Sequence, residues 1–186
     1  MHELQSKREQ LDALDQQIGL WLAHQYLTLT PSSPSALTAQ HGLSWTMLFQ
    51  SIASYVTDDL LRQALLIPDT QLKLQQILIH GDLIDGRGIP SADEFDHLQQ
   101  LLSFGGDHLL GLLGHRLSIV VQVAAIKASR QLSVLNAKRE QQILKQMQGF
   151  AASSLPLQTT LPVLYTRFLF PLAYWIETDF ILTSKP

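Results

Sequence analysis

The sequence predicts an all-α protein, a bundle of long amphipathic helices folded as a single domain over residues 1–186. Three observations carry this. Apolar residues recur at three- and four-residue spacing through segment after segment, the period of a helix face. No run alternates convincingly with the period of two that a half-buried strand requires. An apolar content of 46% with only 16% charged residues describes a chain that buries a substantial core.

The same composition excludes several classes of function. A length of 186 residues suits one domain, or two small halves sharing a core. The net charge of -3 and the lack of a basic run give no footing for nucleic acid. With no cysteine, neither a disulfide framework nor thiolate chemistry is available. The opening residues MHELQSKREQ lack the basic and apolar parts of a signal peptide, so a cytoplasmic location is expected. The most apolar stretch, Thr159 to Leu182, carries Arg167, Glu177, Asp179 and two prolines. It reads as a buried helix, with no membrane span expected.

The elements follow in order. Residues 3–29 form an amphipathic helix with Leu4, Leu11, Leu14, Ile18, Trp21, Leu22 and Leu29 on its core side. Asp12, Asp15, Gln16 and Gln17 are expected mostly outside, and Arg8 falls near the edge of the apolar face. The segment TPSSPS at 30–35 ends this helix. Ser44 to Ile67 reads as one helix, with Leu48, Ile52, Tyr55 and Leu60 spaced for burial and Pro68 stopping it. Thr70 to Leu83 is a further short helix. The stretch GDLIDGRGIP at 81–90 lacks the lysine and hydroxyl of a phosphate loop and reads as a connector. Ser91 and Glu94 have the spacing of a capping box, starting a helix to Phe104. Gly105 and Gly106 then loosen the chain.

The organising stretch runs from Asp107 to Met147. On its first helix, ending near Arg130, Arg116 and Lys127 are eleven residues apart, within about 20° of each other around the axis. After a turn at Gln131–Ser133, Asn136 is followed by Arg139 and Glu140 at three and four residues, so all three can meet. Asn136 also suits the cap of that helix. Two cations facing an amide, a cation and a carboxylate suit a small dianionic ligand. A loop over 149–160 leads to a last helix, about 161–181, with Pro171 inside it as a kink. There Glu177 lies among apolar residues, where a carboxyl is either paired or raised in pKa. The seven histidines show no ligand spacing, so neither a metal nor a cofactor is expected.

The run LLGLLGHRLSIVVQVAAIKASRQLSVLNAKREQQIL, residues 109–144, resembles the all-helical chorismate mutase family. The shared pattern is a leucine-rich turn, an arginine, eleven residues to a lysine, then an acid or amide followed by Arg–Glu. The N-terminal LQSKREQLDALDQQIGLWLAHQY is similar to the family's first helix, and RFLFPLAYWIETDF to its closing helix. The resemblance implies a chorismate mutase II-like bundle whose site holds Lys127, Glu177, Arg116 and Arg8 as catalytic groups. It places Asn136, Arg139, Glu140 and position 173 on the substrate. Ala173 departs from the pattern, since the family has a hydroxyl residue there.

Gln25 and Gln99 stand where each half would repeat a site arginine. This resembles the larger, eukaryotic-type layout, two degenerate halves around one active site. The first half, about 1–90, would contribute Arg8, and the second, about 91–186, most of the site. The implied activity is an isomerase converting chorismate to prephenate in aromatic amino acid biosynthesis. A pyruvate-releasing action on isochorismate and a non-catalytic binding protein are the alternatives. Larger members are often homodimers with an aromatic amino-acid effector; nothing in residues 30–90 assigns such a site.

Overall fold

Helix α1 (His2–Leu29) opens the chain in a computed structural model that describes residues 2–29, 44–80, 92–132, 137–151, 161 and 164–181. Among the described residues every regular element is helical and no strand occurs. Leu4, Leu11, Ile18 and Leu22 are buried along one stripe of α1, as their spacing requires. Leu14 and Trp21, at the edges of that stripe, are only partly buried.

The expected continuous helix over Ser44–Ile67 is two helices. The first, α2 (Trp45–Ala53), is capped by the Ser44 hydroxyl, which accepts from the Met47 N–H at 3.2 Å. The chain then breaks before Asp58, whose carboxylate accepts the Leu61 N–H at 2.9 Å and starts α3 (Asp59–Leu66). Thr57 N–H donates to Ser118 Oγ at 2.9 Å, which ties the break to a neighbouring helix. The break resets the helical phase by one residue. Leu61 and Leu65 therefore go into the core, while Leu60, expected there, is 55% exposed. Helix α4 (Pro68–His80) begins on the proline that ends α3, a position where its missing N–H costs nothing. The segments at 30–35 and 81–90, with Ser91 of the capping box, lie outside the described residues.

Helix α5 (Ala92–Ser129) is kinked where the glycine pair was expected to loosen the chain. Gly106 has φ 58° and ψ −154°, a region that only glycine occupies without strain. Beyond the kink, Gly105–Ser129 contains an 18-residue window of mean hydropathy 1.7 and is long and apolar enough to cross a membrane. Two-thirds of its most apolar window is nevertheless buried in the protein, as befits a core helix. Gly114 lets α2 approach closely: a Cβ there would lie 2.7 Å from Tyr55 Cβ and 2.9 Å from the Ile52 carbonyl. Because one of those atoms is backbone, Gly114→Ala is expected to cost about 1–3 kcal/mol. Chemical denaturation would report this as a lower midpoint at unchanged slope.

Two further helices complete the bundle. Helix α6 (Ala137–Ala151) follows a turn in which Gln131 has φ 55°. The last helix, α7 (residues 165–180), joins a π-turn at Tyr165–Leu169, an α segment at Phe170–Trp175 and a second π-turn at Ile176–Phe180. Pro171 is accommodated by the first widened turn, in which the Phe170 N–H bonds back five residues to the Tyr165 carbonyl. Helix α1 packs along both α5 and α6, α2 packs on α5, and the end of α7 closes over α5. The space enclosed between α1, α5, α6 and α7 holds the candidate site.

Candidate active site

Arg116 and Lys127 stand on one face of α5, as the eleven-residue interval predicts, and both are buried. Each lines a cavity of about 90 Å³. Arg8 reaches the same cavity from α1, Arg139 and Glu140 from α6, and Glu177 from α7. Leu11, Val120, Val123, Ile143 and Phe170 form its apolar walls. Phe170, Ala173, Tyr174 and Glu177 follow at intervals of three, one and three residues, so one face of α7 lines the cavity. Ala173 is on that wall with no hydroxyl to offer. Seven of the eight residues expected at the site thus share one cavity, and Asn136 lies outside the described residues.

Lys127 Nζ donates to Glu177 Oε1 at 3.1 Å, with both side chains 10% exposed. Burial raises the Glu177 pKa; Lys127 and then Arg8 oppose the shift, and Glu140 adds to it. The outcome is a carboxyl held above its ordinary range. Arg139 clips α6 to α1: its Nη2 donates to Asp12 Oδ1 at 2.5 Å and to the Arg8 carbonyl at 3.3 Å. Arg8 and Arg139 also line an adjoining recess of about 330 Å³ with Gln5, Asp12, Lys138 and Gln142. A polar chamber carrying three cations therefore adjoins the cavity.

Asp15 corrects the expectation from sequence. It is fully buried, with Arg116 Nε donating to Oδ1 at 2.7 Å and Nη2 to Oδ2 at 3.3 Å. The Tyr165 hydroxyl donates to Oδ1 at 2.8 Å, and the guanidinium carbon lies 5.5 Å from the Tyr165 ring centroid. Burial alone would lower the Arg116 pKa, but the Asp15 charge outweighs it and keeps the guanidinium charged. Burial, then Asp15, drives the Tyr165 phenol well above its ordinary value. The signal was present in the sequence, because Asp15 follows Leu11 by four residues and precedes Ile18 by three. That position is on the apolar stripe itself, and only the residue type argued for solvent.

Elsewhere, Asp179 pairs with Lys73 of α4, so the second acid of the terminal helix serves a surface contact. Among the described residues, no three His, Cys, Asp or Glu side chains converge as metal ligands would.

The arrangement defines an all-helical protein with a small, cation-rich cavity formed by four helices. Residues 107–169, roughly a third of the chain, match the family model for chorismate mutase type II. That segment contains Arg116, Lys127, Asn136, Arg139 and Glu140, but neither Arg8 of α1 nor Ala173 and Glu177 of α7. Comparison with curated proteins and with solved structures finds no match.

Proposed function

We propose that the protein is a chorismate mutase, an isomerase that rearranges chorismate to prephenate. The observation that carries the proposal is the convergence of Arg8, Arg116, Lys127, Arg139, Glu140 and Glu177 on one cavity. The reaction is intramolecular and pericyclic, so the protein needs to hold a dicarboxylate in a compact conformer and stabilise charge at the breaking ether bond. Arg8 and Arg116 clamp the carboxylates through forked hydrogen bonds. Lys127 donates to the ether oxygen and the adjacent carboxylate. Glu177, protonated, donates to the same oxygen from the other side. Accepting from Lys127 at Oε1 is compatible with this, since the second oxygen of a carboxylic acid carries the proton. Glu140 and Asn136 fix the substrate hydroxyl, and Arg139 orients the carboxylates.

One chain supplies both halves of this site in our reading, in the manner of a pseudo-dimer. Its support is Arg8, which meets the second-half residues from α1 of the same molecule. The test is the loss of chorismate absorbance on adding purified protein. No turnover, with chorismate still bound, would favour a binding protein, the reading that Ala173 on the cavity wall supports. Pyruvate released from isochorismate in place of prephenate would assign the pyruvate-releasing reaction.

A protonated Glu177 has a defined pH signature. Its carboxyl pKa is raised on folding, so between the ordinary and the raised value the folded protein keeps a proton that the unfolded chain has lost. Stability is accordingly greatest below the ordinary value and declines as pH rises through the raised one. Activity falls over the same upper limb as the donor ionises. Glu177→Gln, which donates at any pH, is expected to move that limb upward; a wild-type profile flat to about pH 9 would sink the role.

A further inference from the structure

Asp15 and Tyr165 lie outside the roles given above, yet they determine how Arg116 is presented. A guanidinium has five N–H donors. Asp15 takes two of them, Nε–H and one of the Nη2 hydrogens, at 2.7 and 3.3 Å. Its two oxygens engage one edge of the planar fork, which fixes both the position and the plane of the group. Asp15 is in turn held by Tyr165, whose hydroxyl donates to the oxygen that also accepts from Nε. The three side chains come from three helices, α1, α5 and α7, separated by 101 and 150 residues from Asp15. Neither Arg116 nor Tyr165 titrates near neutral pH, since both are shifted upward, and the Asp15 carboxylate accepts three donors. This is a fixed scaffold and not a switch.

We infer that Asp15, anchored by Tyr165, is the positioning residue for Arg116, turning its three remaining N–H donors towards an anionic ligand in the cavity. The inference rests on the reading of Arg116 as a ligand contact. A simple ion pair at this depth would be poor value for stability, because desolvation offsets most of its attraction. Orientation is what a buried bidentate pair supplies best. A guanidinium without it would have a rotatable stem and several rotamers in which to miss a carboxylate.

The test uses Asp15→Asn, which keeps the shape and removes the second acceptor oxygen, and Tyr165→Phe, which removes only the anchor. Three readouts apply to the full chain: chorismate kinetics, calorimetric binding of adipate as a plain dicarboxylate, and the NMR signal of the Arg116 Nε–H. In the folded Asp15→Asn protein the Nε–H signal should shift and exchange faster with solvent, since a neutral amide oxygen replaces the carboxylate. KM should rise by about tenfold or more while kcat changes less, and adipate should weaken in parallel. Tyr165→Phe should raise KM a few-fold, about 2–5, with thermal stability closer to wild type. A folded Asp15→Asn protein with unchanged KM and adipate affinity overturns the inference and leaves the proposed reaction standing. Absence of chorismate turnover in the wild type, with adipate binding that weakens in Asp15→Asn, overturns the reaction and leaves the inference standing. If Asp15→Asn does not fold, Tyr165→Phe decides, and an unchanged KM and adipate affinity there count against it. A wild type that neither turns over chorismate nor binds adipate overturns both.

Discussion

Lys127→Ala is expected to lower kcat for chorismate by about 10²–10³-fold, the loss that follows removal of a single donor aimed at developing negative charge. Lys127 is 8% exposed and bonds to Glu177 within the cavity, so its ammonium acts in a poorly hydrated setting where a charge is worth more than in water. Its loss also frees Glu177 from one of the groups opposing its raised pKa. The Glu177 limb of the pH profile should therefore move further up in the variant, even as the plateau drops. Steady-state rates across pH separate the two effects. A Lys127→Ala protein with kcat within a factor of about two of wild type would remove this lysine from the mechanism.

Arg116 carries the largest expected effect on stability. Replacing it alone, as in Arg116→Met, strands a buried Asp15 whose other described partner is a neutral phenol. Breaking such a pair costs about 3–5 kcal/mol, which for a chain of this size is roughly a 6–20 °C fall in Tm. Replacing Asp15 with leucine and Tyr165 with phenylalanine in the same protein removes every polar group of the cluster. That triple variant should recover most of the lost stability while remaining inactive. Thermal unfolding of the single and triple variants checks this. Equal losses in both would mean that packing, and not the stranded charge, dominates at this position.

The contrast between these two cations bears on what the sequence made legible. The helical phase of α5 was readable because its apolar residues are frequent and regular, and the same phase placed Arg116 and Lys127 on one buried face. Glu177 was readable on similar grounds, as an acid surrounded by apolar residues at helical spacing. Asp15 has the same apolar spacing, but its residue type argues for solvent, and its partners, 101 and 150 residues away, are not legible in the sequence. Periodicity says which way a residue points, and only the fold says what waits there. The break between α2 and α3 was missed for a local reason. No proline or glycine marks it, and it is held by the Asp58 cap and by a bond from Thr57 to Ser118 on a distant helix. The displaced register at Leu60 and Leu61 follows from that one omission.

The Arg139 clip joins α6 to α1 across 127 residues of sequence to Asp12 and 131 to the backbone of Arg8. Contacts so distant along the chain require a long loop to close before they return any energy, and in folding they are slow to form. The local helices can gather first, with Arg116 and Arg139 still hydrated, and α1 is the piece whose return desolvates them. A chain arrested before that step would be helical and substantially collapsed, yet its cations would face water instead of a shaped cavity. The cation-lined cavity is therefore a property of the finished topology, present only once α1 is in place.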